Sequence, residues 1–201
     1  MNRIITIGRE FGSGGREFGQ RLADALQVAY YDKEIVSEIA RRTELAEQYV
    51  QQIVEKRPVP LFPLTTRHSF GLVASAMNPN LSIYQEQTRI IEEMARKSDC
   101  VIVGRCADYI LSDAKPFRIF LYADMASRIE RCRQRATDAK EREMSDKEME
   151  RMIRKIDKSR AAYYEFYTGQ TWGEKSHYDL CLNTACAPMD EMALAIAGLF
   201  Q

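Results

Sequence analysis

A glycine-rich segment, GSGG at residues 12–15, follows a short apolar run and precedes residues with helical spacing. Glycine allows positive φ values and a close approach of the backbone, both of which a bound phosphate group needs. The N-terminus of a helix adds N–H groups and a partial positive charge. The segment predicts an anion-binding loop, with a ligand-free glycine-rich turn as the alternative. The predicted cradle consists of Gly12, Ser13, Gly14, Gly15 and Arg16.

The loop departs from the common phosphate-loop pattern G-x-x-x-x-G-K-S/T. Gly15 stands where the pattern has lysine, and Arg16 follows it. Glu17 occupies or adjoins the position of the hydroxyl group that would hold magnesium, and Arg9 also lies within the loop. If the loop serves phosphoryl transfer, its positive charge must therefore come from residues other than a loop lysine.

The pattern of apolar residues predicts strands that alternate with helices. The predicted strands are residues 3–7, 28–32, 100–104, 117–123 and 178–184. The predicted helices are residues 14–27, 33–42, 44–55, 81–99, 124–136, 145–167 and 189–200. All strands except the second are apolar on both faces, which is typical of a parallel sheet covered by helices on each side.

Four segments that could bind a ligand lie at the carboxyl ends of predicted strands. They are the glycine loop, Asp32, Gly104–Arg105 and Tyr122–Ala123. In parallel α/β sheets, ligands bind at the carboxyl ends of the strands, so these segments are expected to meet at one edge.

The segments IITIGREFGSGGREFG, AYYDKEI, CVIVGRCADYIL, RIFLYA and YDLCLNT together resemble the cytidylate kinase-like family, a branch of the P-loop nucleoside monophosphate kinases. The resemblance covers nearly the whole chain and keeps the order of the segments. Members of this branch commonly share the lysine-less loop, whereas true cytidylate kinases carry the lysine.

The resemblance implies an α/β, P-loop NTPase-type three-layer fold with a five-stranded parallel sheet flanked by helices. It also implies a single domain with a helical acceptor cap and a helical lid. The core is then expected at residues 1–42, 99–136 and 176–201, the cap at 43–98 and the lid at 137–175. No role is assigned to the segments 55–85 and 161–172, although packing of the lid onto the core is the leading interpretation for the aromatic residues of the second.

Two polar residues at strand ends gain roles from the resemblance. Asp32 matches an acidic residue near the acceptor nucleotide, with an ordinary helix N-cap as the alternative. Arg105 matches an arginine that grips the acceptor's phosphate, and its planar fork suits this because it binds two oxygens at once. A structural salt bridge between Arg105 and Asp108 is the alternative, and Asp108 is itself a candidate substrate-binding residue.

Residues 128–160 are rich in arginine and lysine, with acidic residues interleaved, so most of them are expected on a solvated helical face. The segment RKIDKSR resembles the family's lid segment, which ends D-x-x-R, and this singles out Arg154, Asp157 and Arg160. The resemblance also implies that Arg131 grips nucleotide and Asp157 binds substrate. We hypothesise that four catalytic arginines jointly replace the missing lysine: Arg16, Arg131, Arg154 and Arg160.

The expected activity is ATP-dependent phosphoryl transfer to a nucleoside monophosphate such as CMP. The alternatives are another small-molecule acceptor or a non-catalytic nucleotide-binding protein. The resemblance implies ATP and Mg²⁺ as cofactors, and the metal ligand and the oligomeric state are left unassigned. The expected nucleotide-binding residues are Gly12, Ser13, Gly14, Gly15, Arg16 and Glu17.

Composition excludes several other classes of function. The 201-residue chain has 29 lysine and arginine residues against 29 aspartate and glutamate residues, so it lacks the basic field of a general nucleic-acid binder. Its five cysteines show no CxxC spacing, which indicates a reducing compartment. No apolar run approaches the roughly 20 residues of a membrane span. We expect a cytoplasmic protein whose partners are small-molecule nucleotides, not nucleic acid or membrane.

Overall fold

The computed structural model of the chain describes residues 2–54, 79–137 and 142–200. Five strands form one sheet in the order β2-β3-β1-β4-β5, and every neighbouring pair is parallel. The strands are β1 (Ile4–Arg9), β2 (Ala29–Tyr31), β3 (Cys100–Val103), β4 (Phe117–Tyr122) and β5 (Leu180–Asn183). The expected five-stranded parallel sheet is therefore confirmed.

Eight α-helices accompany the sheet in the described residues. They are α1 (Gly15–Leu26), α2 (Lys33–Thr43), α3 (Glu47–Val54), α4 (Pro79–Lys97), α5 (Ala107–Ile110), α6 (Met125–Arg135), α7 (Asp146–Thr168) and α8 (Met189–Ala197). Short 3₁₀ turns cover Ser112–Ala114, Lys175–His177 and Gly198–Phe200. The single-turn helix α5 is absent from the sequence prediction because four residues carry too little periodicity to be recognised.

The two faces of the sheet carry separate apolar clusters, which gives the three-layer α/β arrangement. Side chains alternate along β3, as the period of a strand requires. Cys100 and Ile102 belong to the cluster formed with α2 and α4, whereas Val101 and Val103 belong to the cluster formed with α1 and α8. The apolar character of the strand on both faces thus follows from its burial on both sides.

Helix α7 lies within the segment expected to form the lid. Ser145 and Glu148 form the capping box expected at its N-terminus. Near its C-terminus, Tyr163 and Tyr164 are buried in the cluster shared with α2 and α4. One end of the lid helix is therefore anchored in the core. The division of the chain into core, cap and lid stays a prediction, and residues 55–78 of the expected cap lie outside the described residues.

None of the helices in the described ranges combines the length and the apolar character that crossing a membrane requires.

Candidate active site

The glycine loop joins the end of β1 to the start of α1, and space and backbone conformation both require its glycines. Gly12 and Gly14 have φ values of +79° and +85°, a region that side chains rarely adopt. A Cβ atom at Gly12 would lie 2.9 Å from the carbonyl oxygen of Arg128, and one at Gly14 would lie 2.6 Å from Met189 Cε. The loop is thus held in one compact shape at the N-terminus of a helix.

A cleft of about 350 Å³ opens beside this loop. This volume is within the range of small-molecule sites, which begins at about 300 Å³. The cleft combines the backbone of the loop with cationic side chains and with apolar side chains of α7. Its lining includes Gly12, Gly14, Gly15, Arg9, Arg16, Arg131, Arg135, Arg160, Cys132, Met149, Met152 and Ile156.

Arg16, which lines the cleft, forms an ion pair with Asp32. Arg16 Nε lies 2.6 Å from Asp32 Oδ2, and the aspartate side chain is buried whereas the arginine side chain is 46% exposed. Asp32 stands at the N-cap position of α2, yet its side chain makes no capping hydrogen bond. Its Oδ1 atom is buried and has no hydrogen-bond partner in the described part of the chain.

The side chain of Arg9, at the end of β1, extends across the site. It lines the cleft and lies against both Gly15 and Gly104. Burial, together with the like charges of Arg160, Arg105 and Arg16, lowers the pKa of Arg9 to about 9. The site therefore concentrates positive charge beyond what its own carboxylates neutralise.

A second cavity of about 50 Å³ lies at the carboxyl end of β3. Arg105 is buried there and donates a hydrogen bond from Nη1 to the carbonyl oxygen of Val54 at 3.4 Å. Asp108 Oδ2 accepts a hydrogen bond from the hydroxyl of Tyr164 at 2.8 Å. Burial raises the pKa of Asp108 above its ordinary value. Aromatic side chains complete the lining: Tyr163, Tyr164, Trp172 and Tyr178.

Arg160 of α7 lines both cavities and so marks the place where they meet. Its Nη1 atom donates to the carbonyl oxygen of Arg9 at 3.4 Å, and its guanidinium lies 5.3 Å from the centre of the Phe11 ring. Arg131 approaches the loop from α6. It donates to the hydroxyl and the carbonyl oxygen of Thr184 at 3.1 Å and 2.6 Å.

The sequence of the chain matches the model of the Cytidylate kinase-like family over residues 4–185. The chain belongs to this family. The family assignment supports a kinase that acts on a nucleotide or another small molecule. No curated protein matches the chain.

Solved structures show how widely this fold is used. An uncharacterized protein from Eubacterium ventriosum is 27% identical to this family member, with a TM-score of 0.70 over 98% of each chain. A shikimate kinase from Bacteroides thetaiotaomicron is 14% identical, with a TM-score of 0.58 over 98% of each chain. A gluconokinase from Sinorhizobium meliloti is 13% identical, with a TM-score of 0.52 over 99% of this chain and 93% of the other. The two kinases share the P-loop kinase fold with this chain.

Several of the expected site residues of this kinase-like protein are engaged in contacts within the protein. Ser13 donates a hydrogen bond from its hydroxyl to the carbonyl oxygen of Glu10 at 2.9 Å. Glu17 is paired with Arg21 and Arg135 through its two carboxylate oxygens. Their expected roles in nucleotide binding stay predictions, with the backbone of the loop as the part that faces the cleft.

The three residues singled out in the lid segment separate in the structure. Asp157 and Arg160 contact the glycine loop. Arg154 is 67% exposed, pairs with Glu150 one turn earlier on α7, and is absent from the lining of the cleft. Arg154 thus does not lie at the cleft with the other two residues, and its catalytic role stays a prediction.

Aromatic residues at the end of α7 and just beyond it pack against α4 and β4. Tyr167 stacks on Tyr84 of α4 with ring centres 3.8 Å apart, and Trp172 meets Phe120 of β4 edge-on at 5.4 Å. This arrangement agrees with packing, the leading interpretation of the sequence.

Sequence reasoning missed Arg128, which is buried beneath the loop. Its Nε atom donates to the carbonyl oxygen of Phe11 at 2.7 Å, and its guanidinium also pairs with Asp157 and Glu10. The spacing of the sequence could have pointed to Arg128, because it precedes Arg131 by three residues and so lies on the same face of α6.

Proposed function

We propose that this protein is an ATP-dependent phosphotransferase that transfers the γ-phosphoryl group of ATP to a nucleoside monophosphate such as CMP. The observation that carries the proposal is the position of Arg160, which lines both the cleft at the glycine loop and the cavity at Arg105. A donor bound in the first cavity and an acceptor bound in the second would meet beside this arginine.

The glycine loop fits the triphosphate of ATP. Gly14 and Gly15 line the cleft without side chains of their own, which allows phosphate oxygens to approach the backbone. The first hydrogen bond of α1 runs from the N–H of Phe18 to the carbonyl oxygen of Gly14 at 3.0 Å, so earlier N–H groups have no partner within the helix. Apolar side chains of α7, Met149 and Met152, offer a surface for the base.

Magnesium is the second implied cofactor, and it usually binds through one or two carboxylates together with substrate phosphates. No group of three or more histidine, cysteine, aspartate or glutamate side chains suited to a metal occurs in the described residues. Asp32 fits the role of a single carboxylate ligand, because its buried Oδ1 has no hydrogen-bond partner among the described residues. Bound there, magnesium would neutralise charge on the phosphates.

The protein's own part in the reaction is positioning and charge stabilisation, since phosphoryl transfer needs little covalent help. Arg16, Arg131 and Arg160 line the cleft and would stabilise charge on the transferred group. Arg105 would hold the phosphate of the acceptor, whose own oxygen attacks, so no general base is required. Helix α7 would shield the site from water, which otherwise accepts the phosphoryl group.

A hydroxyl-bearing acceptor is the second candidate, and one observation favours it. A hydroxyl nucleophile needs a group that takes its proton. Asp32 offers a buried carboxylate at the strand edge with one oxygen unoccupied by hydrogen bonds in the described residues. The shikimate kinase and gluconokinase neighbours are named for acceptors of this kind.

The test is to measure ADP formation from ATP and Mg²⁺ with a panel of nucleoside monophosphates, with shikimate and gluconate, and without acceptor. The proposal expects ADP formation that depends on a monophosphate and falls sharply in Arg16→Ala. Arg41→Ala serves as the matched control, because Arg41 pairs with Glu38 on an exposed surface. Turnover with a hydroxyl acceptor alone would favour the second candidate. ATP binding without any acceptor-dependent turnover would contradict both and leave a non-catalytic nucleotide-binding protein.

A further inference from the structure

The geometry points to Arg9 as the residue that supplies the charge of the missing loop lysine, delivered from the end of β1 instead of from the loop. The inference rests on the proposed function in that the charge acts on the phosphates of ATP. Arg9 is a fifth arginine in addition to the four that the sequence singles out. It differs from them because it comes from the end of a strand and its side chain extends between the two cavities.

The first argument is that Arg9 fills the space of a side chain at position 15. A Cβ atom at Gly15 would lie 2.5 Å from Arg9 Cγ and 2.7 Å from Arg9 Cβ, closer than real Cβ atoms come to other heavy atoms. Gly15 is the first residue of α1 and does not have a positive φ, so its backbone would accept a side chain. Glycine is needed at the lysine position because Arg9 passes there.

The second argument is the reach of Arg9. A Cβ atom at Gly104 would lie 2.7 Å from Arg9 Cζ and 3.1 Å from Nη2, so the guanidinium rests against that glycine. Gly104 lines the smaller cavity with Arg105, whereas Arg9 itself lines the larger cleft. The charge of Arg9 thus lies between the two cavities, where the phosphoryl group would move from donor to acceptor.

The third argument is the lack of a counter-charge in contact with this guanidinium. In the described ranges, the Arg9 side chain makes no hydrogen bond or ion pair, whereas the main-chain carbonyl oxygen of Arg9 accepts a hydrogen bond from Arg160. Asp32 attracts it from a distance, but Oδ2 of Asp32 is paired with Arg16. A partly buried cation without a partner is costly unless a ligand neutralises it. A polyphosphate would do so, and the planar fork of arginine can hold two of its oxygens.

The inference predicts that a lysine can be moved back into the loop once Arg9 is removed. Four variants test this: Arg9→Ala, Gly15→Lys, the double variant Arg9→Ala/Gly15→Lys, and the exposed control Arg41→Ala. We expect Arg9→Ala to lower kcat by about 10²–10³-fold, the typical loss of one charge-stabilising donor. Gly15→Lys alone should lose activity because its side chain overlaps Arg9.

The double variant should be at least about tenfold more active than Arg9→Ala. A difference of this size matches the interaction energy between residues in contact. Equal activity of Arg9→Ala and wild type would overturn the inference, as would wild-type activity of Gly15→Lys. Thermal unfolding shows whether both variants are folded. If they are, a double variant that is no more active than Arg9→Ala would also contradict the inference. If the Gly15→Lys variants do not fold, Arg9→Lys is the variant that tests the inference. It keeps a positive charge at position 9, so it should retain part of the wild-type kcat.

Binding separates this inference from the proposed function. Calorimetric titration with ATP and with inorganic tripolyphosphate needs no acceptor and no turnover. If wild type binds ATP but transfers to no acceptor, the proposed function fails, while weaker binding by Arg9→Ala and recovery in the double variant would still support the role of Arg9. Wild-type affinity in Arg9→Ala, or no binding of either probe to wild type, would overturn it.

Discussion

Asp157 Oδ1 accepts a hydrogen bond from the main-chain N–H of Phe11 at 2.7 Å, which joins helix α7 directly to the loop between β1 and α1. The other carboxylate oxygen pairs with Arg128, whose Nη1 lies 3.1 Å from Glu10 Oε2. Arg128 and Asp157 thus hold the main chain of Phe11 from two different helices. The shape of the glycine loop therefore depends on helix α7 as well as on its own glycines.

Replacing Arg128 with methionine should destabilise the protein strongly. The change leaves the carboxylates of Asp157 and Glu10 without their shared cation, and breaking a buried ion pair on one side costs about 3–5 kcal/mol. Urea unfolding measures the free energy of unfolding. The control is Arg41→Met, the same chemical change on an exposed surface, which should alter it by about 0.5 kcal/mol or less. A loss as small for Arg128→Met would show that the pair does not hold the loop.

Thr184 connects the end of β5 to the glycine loop and to Arg131. Its hydroxyl donates to the carbonyl oxygen of Ser13 at 2.7 Å and accepts from Arg131 Nη1 at 3.1 Å. Thr184→Val keeps the shape and removes both bonds, so we expect a loss of about 1–3 kcal/mol in unfolding free energy. The KM for ATP should rise, because Arg131 and the loop lose their fixed positions.

Thr184→Ser is the matched control, since it keeps the hydroxyl and should stay close to wild type in both measurements. Equal behaviour of the serine and valine variants would contradict a role for the hydroxyl group.

Arg9 should reduce the stability of the ligand-free protein. Its pKa in the folded state is about 9, whereas the unfolded chain has the higher ordinary value, so the folded state binds fewer protons between the two. The charged side chain is buried and faces the like charges of Arg160, Arg105 and Arg16, with Asp32 as an opposing charge. It therefore costs stability in full at neutral pH. Stability is regained as the pH rises above about 9.

Arg9→Met should accordingly raise the thermal unfolding midpoint of the ligand-free protein at neutral pH, and its advantage over wild type should shrink at about pH 10. ATP should stabilise wild type more than the variant. A variant that is less stable than wild type at neutral pH would contradict this account of the site's charge.

Asp108 should give stability the opposite dependence on pH. Burial raises its pKa in the folded state, so the folded protein binds the proton more tightly than the unfolded chain. Its contribution is fully present below the ordinary pKa of an aspartate and is lost as the pH rises through the raised pKa. In Asp108→Asn, which can still accept from the Tyr164 hydroxyl, the loss of unfolding free energy on going from acid to neutral pH should be smaller. An identical pH profile would contradict it.

The fold could be predicted from the sequence because several local features indicate the same strands and helices. Burial on both faces gives β1 and β3 their runs of apolar residues. The positive φ values of Gly12 and Gly14 explain why the turn after β1 is rich in glycine. Helix ends were also readable where side chains cap them, as Ser145 and Glu148 do. Such features need no knowledge of distant contacts.

The site was less predictable because its charges are paired over long distances. Nothing near Arg128 in the sequence reveals that it meets Asp157, 29 residues further along the chain. The partner of Arg154, by contrast, is the local residue Glu150, one turn earlier on α7. Arg9 was visible as a cation in the loop, but its contact with Gly104 depends on the pairing of β1 with β3. The resemblance of RKIDKSR to a lid segment grouped Arg154 with Asp157 and Arg160, but only the last two contact the loop between β1 and α1.

The most direct test of the proposed function is to follow the γ-phosphoryl group itself. Wild-type protein would be incubated with ATP radiolabelled at the γ position, Mg²⁺ and CMP or another nucleoside monophosphate, and the products separated by chromatography. The account predicts that label appears in the nucleoside diphosphate at a rate that depends on acceptor concentration, with little released as inorganic phosphate. Label found only in inorganic phosphate, or retained in ATP with every monophosphate, would contradict it.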